Sequence, residues 1–340
     1  MTEFPPKILV GRTLLIHSPS LAPYREASLR LIDTHVAPLT ATGVVERVTS
    51  DEPDELAPKV GVLVDMDASH VADPAFKAQL KNIHIRQLSN TVKHATAIRR
   101  ISSAASNAHR FSLVLEDDAL FGQTMTTALS SATLLAPSDA DIVFLGLPSP
   151  SQPPKDTVAI FDDLTAVFGG TLPACESYIL TRAAAAKLAP LMSPVRFVTN
   201  VQLMYAIKTA GLKAYISVPN VFVDGSKIGV FTCSLDPNSR LIWNQGYCKM
   251  DALVRNVAGY AVAGGAESDA AFEQLWEEQQ FKEHPDVLAL RAMHLSRMAR
   301  PKDAEAAFQR ALDMYDKTGG VINNMSEFLK SYVSLYRDLQ

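Results

Sequence analysis

Three carboxylates stand in a row at Glu116, Asp117 and Asp118, directly after the apolar run Phe111-Ser112-Leu113-Val114-Leu115. A buried strand ending in acids carries hard oxygen donors to the carboxyl edge of a sheet. Open α/β folds hold ligands there, and Mg²⁺ or Mn²⁺ prefers such donors. Acids this close repel one another, and a cation among them relieves that repulsion. A polar strand end followed by a solvated turn fits the same eight residues equally well. Other chemistry-bearing residues lie along the chain. Asp65 and Asp67 follow the apolar run from Val60 to Val64, as contacts to a nucleotide base or ribose or as a strand-end turn. The segment Val223-Asp224-Gly225-Ser226-Lys227-Ile228-Gly229 sets a carboxylate and a lysine beside glycines that allow close backbone approach. Lys227 there suits a departing diphosphate, and a surface turn with a solvated lysine is the competing reading.

Alternating strands and helices would position these groups. Leu14-Leu15-Ile16 reads as a first strand, followed by an amphipathic helix from about Tyr24 to Leu39. Val60 to Val64 reads as a second strand. Gln87 to Ser106 carries Leu88, Val92, Ala95, Ile98 and Ile101 on one helical face, and leads into the Phe111 strand. Ile142 to Leu147, Ser177 to Leu180 and Ala214 to Val218 read as further strands. Thr181 is placed to cap an alanine-rich helix, and Thr199 another that Gly211 ends. Pro148 to Pro154 reads as a surface loop. The pattern predicts an α/β domain with a largely parallel sheet.

The character changes near Gly264 and Gly265. Helical patterning then runs over 272–281, 286–298, 303–315 and 322–336. The expected organisation is a domain over 1–262 and a helical region over 266–340. The stretch Asp303-Ala304-Glu305-Ala306-Ala307-Phe308-Gln309-Arg310-Ala311-Leu312 resembles the second helix of a tetratricopeptide repeat, and one such unit is too few for a solenoid. A packed appendage is expected, with a peptide- or protein-binding surface as the other use of the tail.

The 340 residues are 47% hydrophobic and 20% charged, the composition of a folded globular chain. A net charge of −4 argues against nonspecific nucleic-acid binding. Cys175, Cys233 and Cys248 make neither a disulfide framework nor a zinc pattern by spacing, and fit a reducing compartment. With neither a signal segment nor an apolar run of membrane-spanning length, the expectation is a cytoplasmic protein without an integral membrane segment.

The context of the acids narrows their chemistry. The run Leu88-Ser89-Asn90-Thr91-Val92-Lys93-His94-Ala95-Thr96-Ala97-Ile98, with the strand ending Leu115-Glu116-Asp117-Asp118, resembles glycosyltransferase family 25, which includes lipopolysaccharide and collagen galactosyltransferases and viral relatives. Cys175-Glu176-Ser177-Tyr178-Ile179-Leu180-Thr181-Arg182 and Ala186-Lys187-Leu188 are similar to later segments of that family, and the resemblance spans roughly Leu14 to Tyr247. It implies a GT-A fold, a Rossmann-like nucleotide-sugar-binding domain, here with a C-terminal α-helical appendage. It also implies Mn²⁺ (or Mg²⁺) at the acidic motif, holding the diphosphate of a UDP-sugar. The implied reaction is transfer of a hexose, galactose or glucose, to a hydroxyl acceptor, with inversion if it follows the family's β-galactosyltransferases. The acceptor is a glycan or protein hydroxyl, or a modified nucleic-acid base.

On this reading Glu116 and Asp118 are the metal ligands, since alternate residues of an extended segment point the same way. Asp117, His94, Asp65, Gly225, Ser226 and Lys227 fall on the nucleotide-sugar side. The chain departs from the family where Asn200 stands near the position of an expected aspartate, and an amide cannot serve as a base. Glu176 and Asp224 are the replacement candidates for catalysis. No histidine lies between His109 and His284 to act as a late metal ligand. These departures sustain the alternative of a catalytically degenerate protein working through its helical tail.

Overall fold

The computed structural model describes residues 8–80, 82–105, 109–122, 124–147, 160–168, 172, 174–218 and 220–225, with 273, 288, 291–292, 295 and 300–317 further on. They fall into two compact units. The first comprises Met1–Ser20, Ile32–Asp117 and Thr126–Val221, and the second Leu21–Leu31, Asp118–Met125 and Phe222–Gln340. The change of character near Gly264 and Gly265 lies outside the described residues.

A seven-stranded sheet organises the first unit. Its strands are β1 (Thr13–Ile16), β2 (Val45–Val48), β3 (Phe111–Glu116), β5 (Ile142–Phe144), β6 (Ile160–Asp163), β7 (Ser177–Thr181) and β8 (Ala214–Val218). Their order across the sheet is β2-β1-β3-β7-β5-β8-β6. β1 pairs in parallel with β2 and β3, and β5 with β8, whereas β7 runs against β3 and β5, and β6 against β8. Five strands therefore share one direction, and the architecture is mixed α/β with a mostly parallel central sheet.

The interior strands are mostly apolar and largely buried, the pattern of strands in a mostly parallel sheet. β1 is buried throughout, and Phe111 to Leu115 of β3 are buried. β6, at the sheet margin, ends in Asp162 and Asp163 and is only partly covered, as an edge strand should be. One core gathers Leu14, Val114, Phe144, Tyr178 and Leu180 from the sheet with Ala95, Ile98 and Leu203 from the helices.

The first described helix is α1 (Ala22–His35). Short helices α2 (Pro53–Leu56), α3 (Val60–Leu63) and α4 (Pro74–Lys77) then precede the long α5 (Ile85–Ser102). His84 caps α5, its ring accepting from Arg86 N–H at 3.3 Å while Gln87 reaches back to the His84 N–H at 3.2 Å. α6 (Met125–Leu134) and α7 (Leu164–Phe168) follow. Thr181 caps α8 (Arg182–Leu188) through the Ala184 N–H at 3.0 Å, as its sequence position suggested.

Two expectations change. Val60 to Val64 is not a strand. Val60–Leu63 form one helical turn, Val62 is 86% exposed, and only Val64 makes an isolated bridge, to Val195. The capping pair Glu52 and Glu55 at Pro53 has already set helical geometry nearby, and four apolar residues are too few to announce their own period. The actual strand is β2, Val-Glu-Arg-Val, whose charged middle hides it; Arg12 Nε donates to Glu46 Oε1 there at 2.7 Å. Thr199 is likewise not a cap. It is the first residue of α9 (Thr199–Thr209), and its hydroxyl lies 2.9 Å from that of Thr91. Gly211 ends α9 in the left-handed region at φ +63°.

In the second unit, β4 (Ala119–Leu120) pairs antiparallel with β9 (Val223–Asp224). Phe121 meets Phe222 edge-on at 5.8 Å. α10 (Pro301–Lys317) supplies the helix expected over 303–315. The helix expected over 322–336 and the loop from Pro148 to Pro154 lie outside the described residues. Among the described residues, no helix is long and apolar enough to cross a membrane.

Candidate functional site

Parallel β1, β2 and β3 bring their carboxyl ends to one edge of the sheet. β7 runs the other way, so its amino end arrives at the same edge, and Glu116 N–H donates to the Glu176 carbonyl at 2.7 Å. The residues that just outrun these strands are His17 and Ser18 after β1, Glu116 and Asp117 at the end of β3, and Cys175 and Glu176 before β7. Helix α5 adds Asn90, Lys93 and His94, all buried. After β2, Asp51 turns the chain at φ +66°, a conformation aspartate tolerates better than most residues, and delivers Glu52 to this edge.

Two polar clusters result. In the first, Glu116 Oε1 lies 3.0 Å from His94 Nε2, accepts from Asn90 Nδ2 at 3.3 Å, and accepts the Cys175 thiol at 3.7 Å. Every hydrogen bond to this carboxylate among the described residues goes to Oε1. His94 Nδ1 lies 3.0 Å from the Tyr178 hydroxyl, and the two rings stack at 5.9 Å. Burial pushes the Glu116 carboxyl up, but the hydrogen bond and attraction of His94, with the Asn90 amide, outweigh it. The carboxyl is held below its ordinary value. Burial, with Cys175 and Glu116 close by, pushes the Tyr178 phenol well above its ordinary value. His94 thus bridges the two, with Nε2 facing the Glu116 carboxylate and Nδ1 facing the Tyr178 hydroxyl, so both ring nitrogens are engaged.

In the second cluster, Asp117 Oδ2 sits 2.7 Å from His17 Nδ1 and accepts the Ser18 N–H at 3.3 Å. The Ser18 hydroxyl donates to Glu52 Oε2 at 2.7 Å, Lys93 Nζ pairs with Glu52 Oε1, and the same ammonium donates to the His17 carbonyl at 3.1 Å. The loop of contacts closes on itself, so β1, β3, α5 and the residue after Asp51 are locked together by charge-assisted bonds.

The sequence candidates distribute unevenly. Glu116, Asp117, His94 and Glu176 share the sheet edge, with Glu176 buried beside β7. β3 ends at Glu116, and Asp117 and Asp118 form a turn, so the strand alternation that paired Glu116 with Asp118 stops one residue short. In the second unit, the Asp118 carbonyl accepts the Gly225 N–H at 2.9 Å and Asp224 belongs to β9. Ser226 and Lys227 lie outside the described residues. Asp65 joins a different group, 2.8 Å from both His70 Nδ1 and Arg196. The Asn200 amide donates to the Leu172 carbonyl at 2.7 Å, a structural tie.

Sequence reasoning passed over His17, Ser18, Glu52 and Cys175. His17 was findable by the logic applied to Glu116, since it is the first residue after an apolar strand. Glu52 was hidden behind the unrecognised β2, and Cys175 had no local ligand spacing. Of the imidazoles at the sheet edge, His94 was among the candidates from sequence and His17 was not. Compared with known proteins, the chain matches no family model and no curated protein.

Proposed function

We propose that the chain is a metal-dependent glycosyltransferase of GT-A type, moving galactose or glucose from a UDP-sugar to a hydroxyl acceptor with inversion. The observation that carries this reading is the convergence of Glu116, Asp117, His17, Glu52, Lys93 and His94 at the carboxyl ends of adjacent parallel strands, where α/β sheets take nucleotides. The acidic motif and its neighbouring segments carry the resemblance to the family, and their position at the sheet edge is what supports the reading.

The donor set suits a hard cation in one respect: Glu116 has its hydrogen bonds on Oε1, so Oε2 faces a ligand without competition from the described residues. Mn²⁺ (or Mg²⁺) would be held by Glu116, with Asp118 as second carboxylate on the strength of the resemblance. Such a cation, when bound, offsets the charge that develops on a leaving diphosphate. Asp117, fixed by His17 and Ser18, presents a rigid acceptor for a ribose or sugar hydroxyl. Gly225, Ser226 and Lys227 belong to the donor side on the strength of the resemblance alone, and Asp65, tied to His70 and Arg196, drops out of it. Glu176 and Asp224 are the carboxylates proposed to take the acceptor proton. The acceptor is a glycan or protein hydroxyl, and the place of work is the cytoplasm.

A thermal-shift series with UDP-, GDP- and CMP-sugars, each with and without Mn²⁺, tests the reading. A UDP-hexose should raise Tm only when the cation is present, because a ligand that binds the folded state alone stabilises it in proportion to ln(1 + [L]/Kd). Asp118→Ala should abolish transfer and leave the fold intact. No response to any nucleotide, or full transfer by that variant, overturns it.

A further inference from the structure

The surroundings of Glu116 Oε1 are unlike those of a purely oxygen-lined cation site. An imidazole nitrogen, a carboxylate oxygen and a thiol sulfur converge there: His94, Glu116 and Cys175 have ligand atoms all within 4.8 Å of one another. The three come from α5, the end of β3 and the approach to β7, parts of the chain far apart in sequence, which is why no local spacing announced them.

We propose that His94 Nε2, Glu116 Oε1 and Cys175 Sγ form a binding site for a zinc-class transition-metal ion. Zinc takes nitrogen at about 2.0 Å, oxygen at about 2.1 Å and thiolate sulfur at about 2.3 Å, so tetrahedral ligation sets N···O near ~3.3 Å and S···O near ~3.6 Å. The two separations to Glu116 Oε1, 3.0 Å and 3.7 Å, lie within a few tenths of an ångström of these, and the His94 nitrogen and Cys175 sulfur lie within 4.8 Å of each other. Nitrogen and sulfur donors select zinc, cobalt or copper over Mg²⁺ and Mn²⁺.

Charge points the same way. His94 is fully buried, Cys175 is 7% exposed and the Glu116 side chain 19% exposed, so a net charge here is costly. A divalent ion with one carboxylate, one thiolate and a neutral imidazole sums to zero. Binding releases the Cys175 proton to solvent and involves no change of oxidation state. The outer contacts are also of the kind that orient metal ligands. His94 Nδ1 has the Tyr178 hydroxyl at 3.0 Å to receive its proton once Nε2 turns to the ion, and Asn90 Nδ2 steadies Glu116. Three protein ligands leave a fourth position, toward the exposed flank of Glu116, for water or a substrate oxygen.

The inference does not depend on the transferase reading, and the experiment needs no sugar donor. The full chain is loaded with Co²⁺ or Zn²⁺, dialysed, and examined by elemental analysis and by absorption of the cobalt form. One ion per chain with a thiolate-to-cobalt charge-transfer band is expected, and Cys175→Ser should lose the band and bind at least tenfold more weakly. The chain has three cysteines, so a Cys233→Ser/Cys248→Ser variant that keeps the band assigns it to Cys175 even if Cys175→Ser fails to fold. Absence of the band, its survival in Cys175→Ser, or its loss from the double variant overturns the proposal. Nucleotide-sugar binding measured on the same preparations reports on the transferase reading separately.

Discussion

Each titratable residue acts through its immediate partners, and the group around Asp65 shows the consequence most directly. Asp65 is held down to about 2, first by the hydrogen bond from His70 and then by the Asp67 N–H and Arg196, while the same bond raises His70 above 6.5. The raised histidine contributes stability that is fully present below pH 6.5 and is lost as pH climbs through its folded value. The lowered aspartate contributes stability present above pH 3.8 and lost as pH falls through about 2. The contact is therefore complete between those two ordinary values, pH 3.8 and 6.5, and weakens on the neutral side first. A proton NMR titration should place the His70 midpoint above 6.5, and Asp65→Asn should bring it down. An unchanged midpoint in that variant would show that the 2.8 Å contact does not persist in solution. Asp65 was only partly legible in the sequence and His70 not at all, because Arg196, which also pairs with Asp65, arrives from far along the chain, near the start of α9.

At the scale of elements, periodicity was legible and purpose was not. The apolar face of α5, the run of β3 and the stop at Gly211 could all be read off residue spacing, since each depends on neighbours within one or two turns. β2 could not, because Glu46 and Arg47 sit where a buried strand should be apolar, and its place is set by pairing with β1. Nor could spacing show that Lys93, buried on α5 with Ser89, Asn90 and His94, reaches across to Glu52 and the His17 carbonyl. That buried ammonium ties α5 to the ends of two strands. Lys93→Met should cost about 3 kcal/mol, because it strands a largely buried carboxylate, the partly open side of Glu52 keeping the loss at the low end of the range for broken buried pairs. Adding Glu52→Gln should recover part of it, giving a coupling of about 0.5–3 kcal/mol in a denaturation cycle. Strict additivity of the two losses would mean that the pair carries no energetic weight.

For the molecule as a whole, the sheet separates an apolar interior from the polar groups gathered at its edge. The apolar stretches of β1, β3, β5 and β7 fill the middle of the first unit, and the polar residues begin where those strands end. Hydrophobic residues matter by position relative to that sheet and not by type, and two of them make the contrast measurable. Leu180, in β7, is fully buried and packed within the main core, whereas Val62 points into solvent from the single turn of α3. Leu180→Ala removes buried surface and leaves a cavity that rigid neighbouring strands cannot close, so it should cost about 2–5 kcal/mol. Val62→Ala removes nothing from the core and should stay within about 0.5 kcal/mol. Urea midpoints at an unchanged slope measure both. A large loss at Val62 would restore the strand that its sequence suggests at Val60 to Val64, and would move the sheet's outer strand away from β2. A small loss at Leu180 would mean that β7 does not pass through the core, and the sheet edge that gathers Glu116, Cys175 and Glu176 would lose the strand that brings two of them there.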